Sequence, residues 1–131
     1  MGAKSYQDLI AWQKAVDLVE AVYRVTQGWP KDELYGLTNQ GRRAAVSVPA
    51  NIAEGQGRDS SREFLHHLSI ANGSLYEVET HLLIARRLGY IDVRAYDALI
   101  CQASEIGRLM HGLMKRLRQT DMAPPKLASG L

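Results

Sequence analysis

The sequence predicts an all-α protein, an antiparallel four-helix bundle with up-down-up-down topology. Three observations support this prediction. Four segments carry apolar residues at spacings of three and four, which places those residues on one helical face. No segment alternates apolar and polar residues for long enough to form a strand. The links near residues 28–31, 56–60 and 89–91 are short, so consecutive helices should be antiparallel neighbours.

The first helix is predicted to begin at Ser5, because Asp8 three residues later completes a variant of the capping box. Gly28 should end this helix, and Trp29-Pro30 should form the turn that follows it. Apolar residues at helical spacing predict its buried face, which consists of Leu9, Trp12, Val16, Val19 and Tyr23.

The second helix is expected to extend from near Asp32 to about Gly55, and it has two faces of different chemistry. The apolar face is small and consists of Ala45, Val48 and Ile52. The other face is a polar stripe of short, hydrogen-bonding or charged side chains, namely Arg43, Ser47, Asn51 and Glu54. This composition predicts a satisfied, partly buried network that serves structure or an interface.

Pro49 lies inside this second helix, where it removes the hydrogen bond to the Ala45 carbonyl. An interior proline costs roughly 3 kcal/mol, so we expect a kink whose freed carbonyl is satisfied by the polar stripe. A tolerated kink at the surface is the alternative. We expect Arg43 to pair with Ser74 or Glu77, and Glu54 to pair with an arginine or a backbone donor, within the chain or across a subunit boundary.

The third helix is predicted to begin after Ser60, where Glu63 completes a capping box, and to end at Gly89. Its buried face follows a heptad pattern: Phe64, Leu68, Ala71, Leu75, Val78, Leu82 and Ala85. The fourth helix should begin at Asp92, with a buried face of Tyr96, Leu99, Ala103, Ile106, Met110, Leu113 and Leu117. We therefore expect the bundle to occupy residues 1–118 and residues 119–131 to form a flexible tail.

The composition is that of an ordinary globular domain. Hydrophobic residues make up 46% of the 131 residues and charged residues 23%, which argues against disorder. Cys101 is the single cysteine, so an internal disulfide is impossible and a reducing compartment is favoured. Residues 1–11 have no signal-peptide pattern, and no run of eighteen apolar residues suggests a membrane span. We expect a cytoplasmic protein.

An enzymatic function has little support in the sequence, and we expect no cofactor. Glu63 and His66 form one Glu-x-x-His pair, whereas a di-metal carboxylate bundle needs two such pairs and two further glutamates. Glu77 and His81 are one turn apart, but no other residue completes a metal site. Cys101 has no CxxC partner and is expected to be packed. The di-metal bundle is kept as the alternative function.

Several arginines could contact nucleic acid, since arginine suits phosphate and stacked bases alike. The candidates flank the polar stripe or lie at the ends of the third helix: Arg42, Arg58, Arg62, Arg86 and Arg87. The net charge is only +2, and no recognised nucleic-acid motif is present.

A longer set of motifs resembles one known family. The most extensive motif runs from Gln40 to Arg58 and includes Gly41-Arg42-Arg43-Ala44-Ala45, Ser47, Pro49, Asn51-Ile52-Ala53-Glu54-Gly55 and Gly57. Further matches are Trp12, Ala15, Tyr35-Gly36-Leu37, Ile70-Ala71, Gly73-Ser74-Leu75 and Glu77. Together they resemble, over about residues 5–118, the bacterial four-helix bundle proteins encoded in intervening sequences of large-subunit ribosomal RNA genes. Trp29-Pro30 departs from the Phe-Pro common in relatives.

The resemblance implies a four-helix bundle that assembles into a homo-pentameric ring around a central channel. It also implies nucleic acid, or a protein associated with nucleic acid, as a partner, because relatives arise within ribosomal RNA genes or accompany reverse transcriptases. The abundance of tyrosine and tryptophan fits assembly independently, since protein interfaces are enriched in both.

Overall fold

The computed structural model describes residues 5–122, with side chains described as far as residue 120. Four α-helices form a bundle: α1 (Ile10–Thr26), α2 (Leu37–Gln56), α3 (Ser61–Arg87) and α4 (Val93–Met122). Short 3₁₀ helices, Tyr6–Asp8 and Lys31–Glu33, precede α1 and α2. Residues 5–122 contain no strand. The predicted fold class is confirmed.

Each helix packs on two others, so the contacts α1–α2, α2–α3, α3–α4 and α4–α1 close a cycle. With short connections at residues 57–60 and 88–92, this cycle is that of an up-down-up-down bundle. Within residues 5–122, no helix combines the length and the apolar character needed to cross a membrane.

The ends of α3 and α4 follow the local signals in the sequence. The Ser60 hydroxyl accepts a hydrogen bond from the Glu63 backbone N–H (3.2 Å), and an Asp92 carboxylate oxygen accepts one from the Ala95 N–H (2.8 Å). At the other end of α3, Gly89 has a φ of 79°, and the Tyr90 N–H donates to the Ala85 carbonyl. This is a Schellman motif, which requires the left-handed conformation that glycine adopts freely.

The starts of α1 and α2 differ from the prediction. Ser5 accepts a hydrogen bond from the Gln7 N–H, but it caps the first 3₁₀ helix, and the extended conformation of Leu9 separates that turn from α1. Likewise, the expected start near Asp32 is a 3₁₀ helix, and α2 begins only after Gly36. The capping signals mark turns correctly, but tertiary packing decides whether a turn continues into the next helix.

The predicted buried faces of α2 and α3 are confirmed. On α2, Ala45, Val48 and Ile52 are fully buried; on α3, all predicted positions are buried except Phe64, which is partly buried. On α4 the predicted face is buried from Leu99 to Met110, whereas Tyr96, Leu113 and Leu117 are partly buried. Met114 joins the core instead of its neighbour Leu113.

The predicted buried face of α1 is wrong. The core residues of this helix are Ala11, Ala15, Leu18 and Val22. The predicted residues form a second apolar stripe beside them: Leu9, Trp12 and Val19 are partly buried, while Val16 and Tyr23 are exposed. Both stripes have helical spacing. The smaller one faces the core because alanine lets neighbouring helices approach more closely than tryptophan or tyrosine does.

The C-terminal turn of α2 lies very close to α3. A Cβ atom added at Gly55 would be 2.7 Å from the Cβ of His67 and 3.0 Å from Cδ1 of Phe64. Gly41 is also buried, and an added Cβ there would be 3.8 Å from the Cβ of His81. At Gly73, by contrast, an added Cβ would meet no atom within 4 Å, so no neighbouring helix of the described chain packs closely there.

The predicted domain boundary lies within α4, which continues to Met122, beyond residue 118. The rest of the predicted tail, residues 123–131, lies outside the described residues.

Leu75→Ala is expected to lower the free energy of unfolding by roughly 2–5 kcal/mol, because Leu75 is only 1% exposed at the centre of the core. Chemical denaturation measures this loss. Ile84→Ala, at a 40% exposed position of the same helix, is the matched control and should cost less than about 0.5 kcal/mol. Equal losses for the two variants would contradict the assignment of the core face.

Gly55→Ala and Gly73→Ala are expected to have opposite effects on stability. At Gly55 the methyl group would overlap His67 and Phe64, which must move, so we expect destabilisation of about 1–3 kcal/mol. At Gly73 the methyl group meets no atom, and the higher helix propensity of alanine should stabilise the protein by up to about 1 kcal/mol. Thermal and chemical denaturation of both variants checks this; effects of the same sign would refute it.

Candidate functional site

A polar groove of about 430 Å³ runs along the outer surface between α2 and α3. Side chains of both helices line it: Asn39, Gln40, Arg43, Ala44, Ser47, Ser74, Glu77 and His81. Four of the six residues predicted to form a polar motif are therefore brought together here, namely Arg43, Ser47, Ser74 and Glu77. The groove lies outside the core because the adjacent faces of α2 and α3 carry the buried apolar residues.

Hydrogen bonds between α2 and α3 form the floor of the groove. The Ser74 hydroxyl donates to the Ser47 hydroxyl oxygen at 2.8 Å, and Ser74 is buried. One turn along α2, the Asn51 amide donates to the Ser47 hydroxyl (3.0 Å) and to the Ser47 carbonyl (2.9 Å). The side-chain oxygen Oδ1 of Asn51 lies 3.3 Å from Nδ1 of His67. This network joins two helices where Pro49, itself buried, removes one backbone hydrogen bond of α2.

The charged side chains of the groove are exposed and unpaired. Neither Arg43 nor Glu77 forms an ion pair or hydrogen bond with another residue of the described chain. The expected pairing of Arg43 with Ser74 or Glu77 is therefore not formed within residues 5–120. His81 is half-buried, and its Nδ1 is buried without a hydrogen-bond partner among residues 5–120. Burial lowers the pKa of His81, while the nearby Glu77 carboxylate acts in the opposite direction. Burial therefore favours the neutral form of the imidazole.

Glu54, the remaining residue of the predicted motif, lies at the C-terminal end of α2. It pairs with Arg58 one turn later at 2.6 Å, and both side chains are about half exposed. The expected arginine partner of Glu54 is therefore found within the chain. An exposed pair of this kind contributes little to stability.

Arg42 has a structural position, although it is adjacent to Arg43 in sequence. Its Nε donates to the Thr26 hydroxyl oxygen at 2.8 Å, and its guanidinium lies 4.6 Å from the centre of the Tyr23 ring. Thr26 is buried at the C-terminal end of α1, where a cation also offsets the helix dipole. These contacts join α1 to α2 and occupy the guanidinium that we expected to contact nucleic acid.

The other predicted nucleic-acid contacts do not form one patch. Arg58 and Arg62 lie at the connection between α2 and α3, whereas Arg86 and Arg87 lie at the far end of α3. The two groups are separated by about 36 Å at 1.5 Å per helical residue. All four are exposed, and Arg86 lies over the Tyr96 ring at 5.0 Å.

Within residues 5–120, the side chains are not arranged as the alternative di-metal site requires. Glu63 and His66 are both exposed instead of projecting into the core, and Glu63 participates in the capping box with Ser60. Across residues 5–120, no three His, Cys, Asp or Glu side chains are grouped so that they could hold a metal ion. Cys101 is exposed, which corrects the expectation that it is packed.

Two histidines of the α2–α3 seam, His67 and His81, are not part of the polar motif predicted from the sequence. His67, Ser74 and His81 are spaced by seven residues, which places them on one face of α3. This face points towards α2, since Ser74 contacts Ser47 and His67 lies beside Asn51. The heptad spacing was a usable signal, but it does not by itself identify the neighbouring helix.

Comparison with known proteins agrees with this architecture. The chain matches the family model "23S rRNA-intervening sequence protein" over residues 7–112. Among solved structures it is similar to a crystal structure of a protein of unknown function from the S23 ribosomal protein family of Bacteroides thetaiotaomicron. The TM-score is 0.73 at 23% sequence identity, over 81% of this chain and 99% of that chain. None of the curated proteins matches the sequence.

The family match covers most of the chain and includes α1, α2, α3 and the larger part of α4. The chain therefore belongs to the 23S rRNA-intervening sequence protein family.

Proposed function

We propose that this protein is a non-enzymatic structural subunit that assembles with copies of itself into a homo-oligomeric ring. The ring would present its exposed arginines to nucleic acid or to a nucleic-acid-associated protein. One observation carries the assembly proposal: α1 has a second apolar stripe outside the core.

This stripe continues from α1 onto α2. On α1, Val16 is 39% and Tyr23 41% exposed. On α2, Val46 is 43% exposed and follows Arg42 by one turn, so the two residues share a side of the helix. Because Arg42 contacts Tyr23 of α1, this is the side of α2 that adjoins α1. We call this surface, formed by Trp12, Val16, Val19, Tyr23 and Val46, the apolar face. Contiguous exposed apolar residues of this kind mark protein–protein contacts.

The apolar face and the polar groove lie on different sides of α2. Arg42 points from α2 towards α1, whereas Ser47 contacts α3. A bundle with distinct surfaces on different sides is suited to head-to-tail contacts, which close into rings when the rotation between subunits allows it. A pentamer is the ring that the family resemblance favours.

The proposed contact with nucleic acid rests on exposed cations. Arg62 and Arg87 are exposed and form no ion pair within residues 5–120, while Arg58 is exposed but pairs with Glu54. A ring would repeat each of them around its axis. Repetition raises the local density of positive charge although one chain carries a net charge of only +2. The name of the matching family, which refers to ribosomal RNA, makes RNA the first ligand to test.

Light scattering at micromolar concentration is expected to give the mass of a homo-oligomer, with a pentamer as the specific expectation. Val16→Glu should reduce that mass, because it places a charge in the apolar face without entering the core. Val93→Glu, at an exposed position of α4 away from both surfaces, is the control, and circular dichroism should show intact helices in both. A monomeric wild-type protein would refute the assembly, and a dimer would keep the bundle but refute the ring.

Protein purified from its native cell without nuclease is expected to carry RNA, detectable by extraction and gel electrophoresis. The double variant Arg58→Ala/Arg62→Ala should bind less RNA and show a shallower dependence of affinity on salt, because two phosphate contacts are lost. Arg108→Ala, which removes an exposed positive charge from α4, is the control for the change in net charge. Absence of RNA from the wild-type protein, or equal binding by all variants, would contradict this part of the proposal.

A further inference from the structure

The polar groove between α2 and α3 has hydrogen-bonding capacity that residues 5–120 leave unused. The floor is satisfied, since Ser47 and Ser74 bond to each other. The cation of Arg43, the carboxylate of Glu77 and the buried Nδ1 of His81 have no partner within this part of the chain. A buried polar atom without a partner is costly, so an interaction from outside the chain would stabilise it.

The charges of the groove favour a protein partner over nucleic acid. Glu77 repels phosphate, and His81, whose pKa is lowered by burial, adds no positive charge near pH 7. Apolar residues flank the groove along α3: Ile70 lies one turn before Ser74, and Leu88 lies two turns after His81, and both are exposed. A groove with one cation, one anion and apolar flanks is suited to a helix that carries opposite charges beside apolar residues.

The α1 helix of this same chain has that arrangement. Glu20 and Arg24 form an exposed ion pair one turn apart. They border the apolar face, because Glu20 follows Val16 by one turn and Arg24 is adjacent to Tyr23. A second copy that docks through its apolar face therefore also presents an acid and a base.

We propose that the α2–α3 groove receives α1 of a second copy of this chain, with Arg43 facing Glu20 of the partner subunit and Glu77 facing Arg24 of the partner subunit. This proposal rests on the proposed assembly and identifies its contact surfaces. Because the groove and α1 lie on different parts of the molecule, the contact is head-to-tail and uses both surfaces of every subunit in a closed ring. The docked helix would also cover the groove and place polar side chains near the buried Nδ1 of His81.

Charge reversal tests this pairing through the mass of the assembly. Arg43→Glu places two carboxylates opposite each other. It should raise the protein concentration at which half of the oligomer is dissociated by at least about tenfold. Arg43 is exposed, so the fold itself should survive the reversal, as circular dichroism can verify. Arg108→Glu is the matched control on α4 and should leave the mass unchanged.

The second reversal, Glu20→Arg in the Arg43→Glu background, restores opposite charges across the proposed contact and should recover the oligomer. If the single variant dissociates and the double variant forms the oligomer again, the result would support the pairing. An unchanged mass for Arg43→Glu, or no recovery in the double variant, would overturn it. Loss of RNA binding by Arg43→Glu without loss of mass would identify the groove as a nucleic-acid site and would equally overturn the proposal.

The failure of this inference can be distinguished from the failure of the proposed assembly. A monomeric wild-type protein would refute the ring itself. A wild-type oligomer that tolerates Arg43→Glu but dissociates on Val16→Glu would retain the ring and reject only the groove as its contact.

Discussion

The close packing of α2 against α3 is the constraint on which the rest of this structure depends. At Gly55 the two helices approach so closely that a single methyl group would be 2.7 Å from the Cβ of His67. Ala45, Val48 and Ile52 bury the inner side of the same helix against the core. Because the small residues fix the rotation of α2, its polar stripe must lie at the outer edge of the contact with α3.

This rotation explains why neighbouring residues of one motif have different roles. Arg42 and Arg43 are separated by about 100° around the helix axis. Arg42 therefore reaches Thr26 and Tyr23 on α1, whereas Arg43 lies in the groove beside α3. The first guanidinium stabilises the helix junction, and the second remains available for an external partner.

The α1 helix adds a second constraint, because it carries more apolar surface than one small bundle can bury. Its alanine-containing stripe faces the core, and the aromatic stripe remains partly outside together with Val46 of α2. Excess apolar surface on one side and unsatisfied charge on another side both favour association with a further chain. The excess apolar surface lies mainly on α1, whereas the unpaired charges lie in the groove between α2 and α3.

The sequence by itself determined the helix count, the buried faces of α2 and α3, and the caps at Ser60, Gly89 and Asp92. The caps depend on local backbone chemistry, and the buried faces of α2 and α3 were predictable because each of these helices has a single unambiguous apolar face. It did not determine the buried face of α1, where two apolar stripes of equal periodicity compete, or the separate contacts of Arg42 and Arg43. Only the tertiary structure decided these, because they depend on how closely two helices approach and on which neighbour each side of a helix meets.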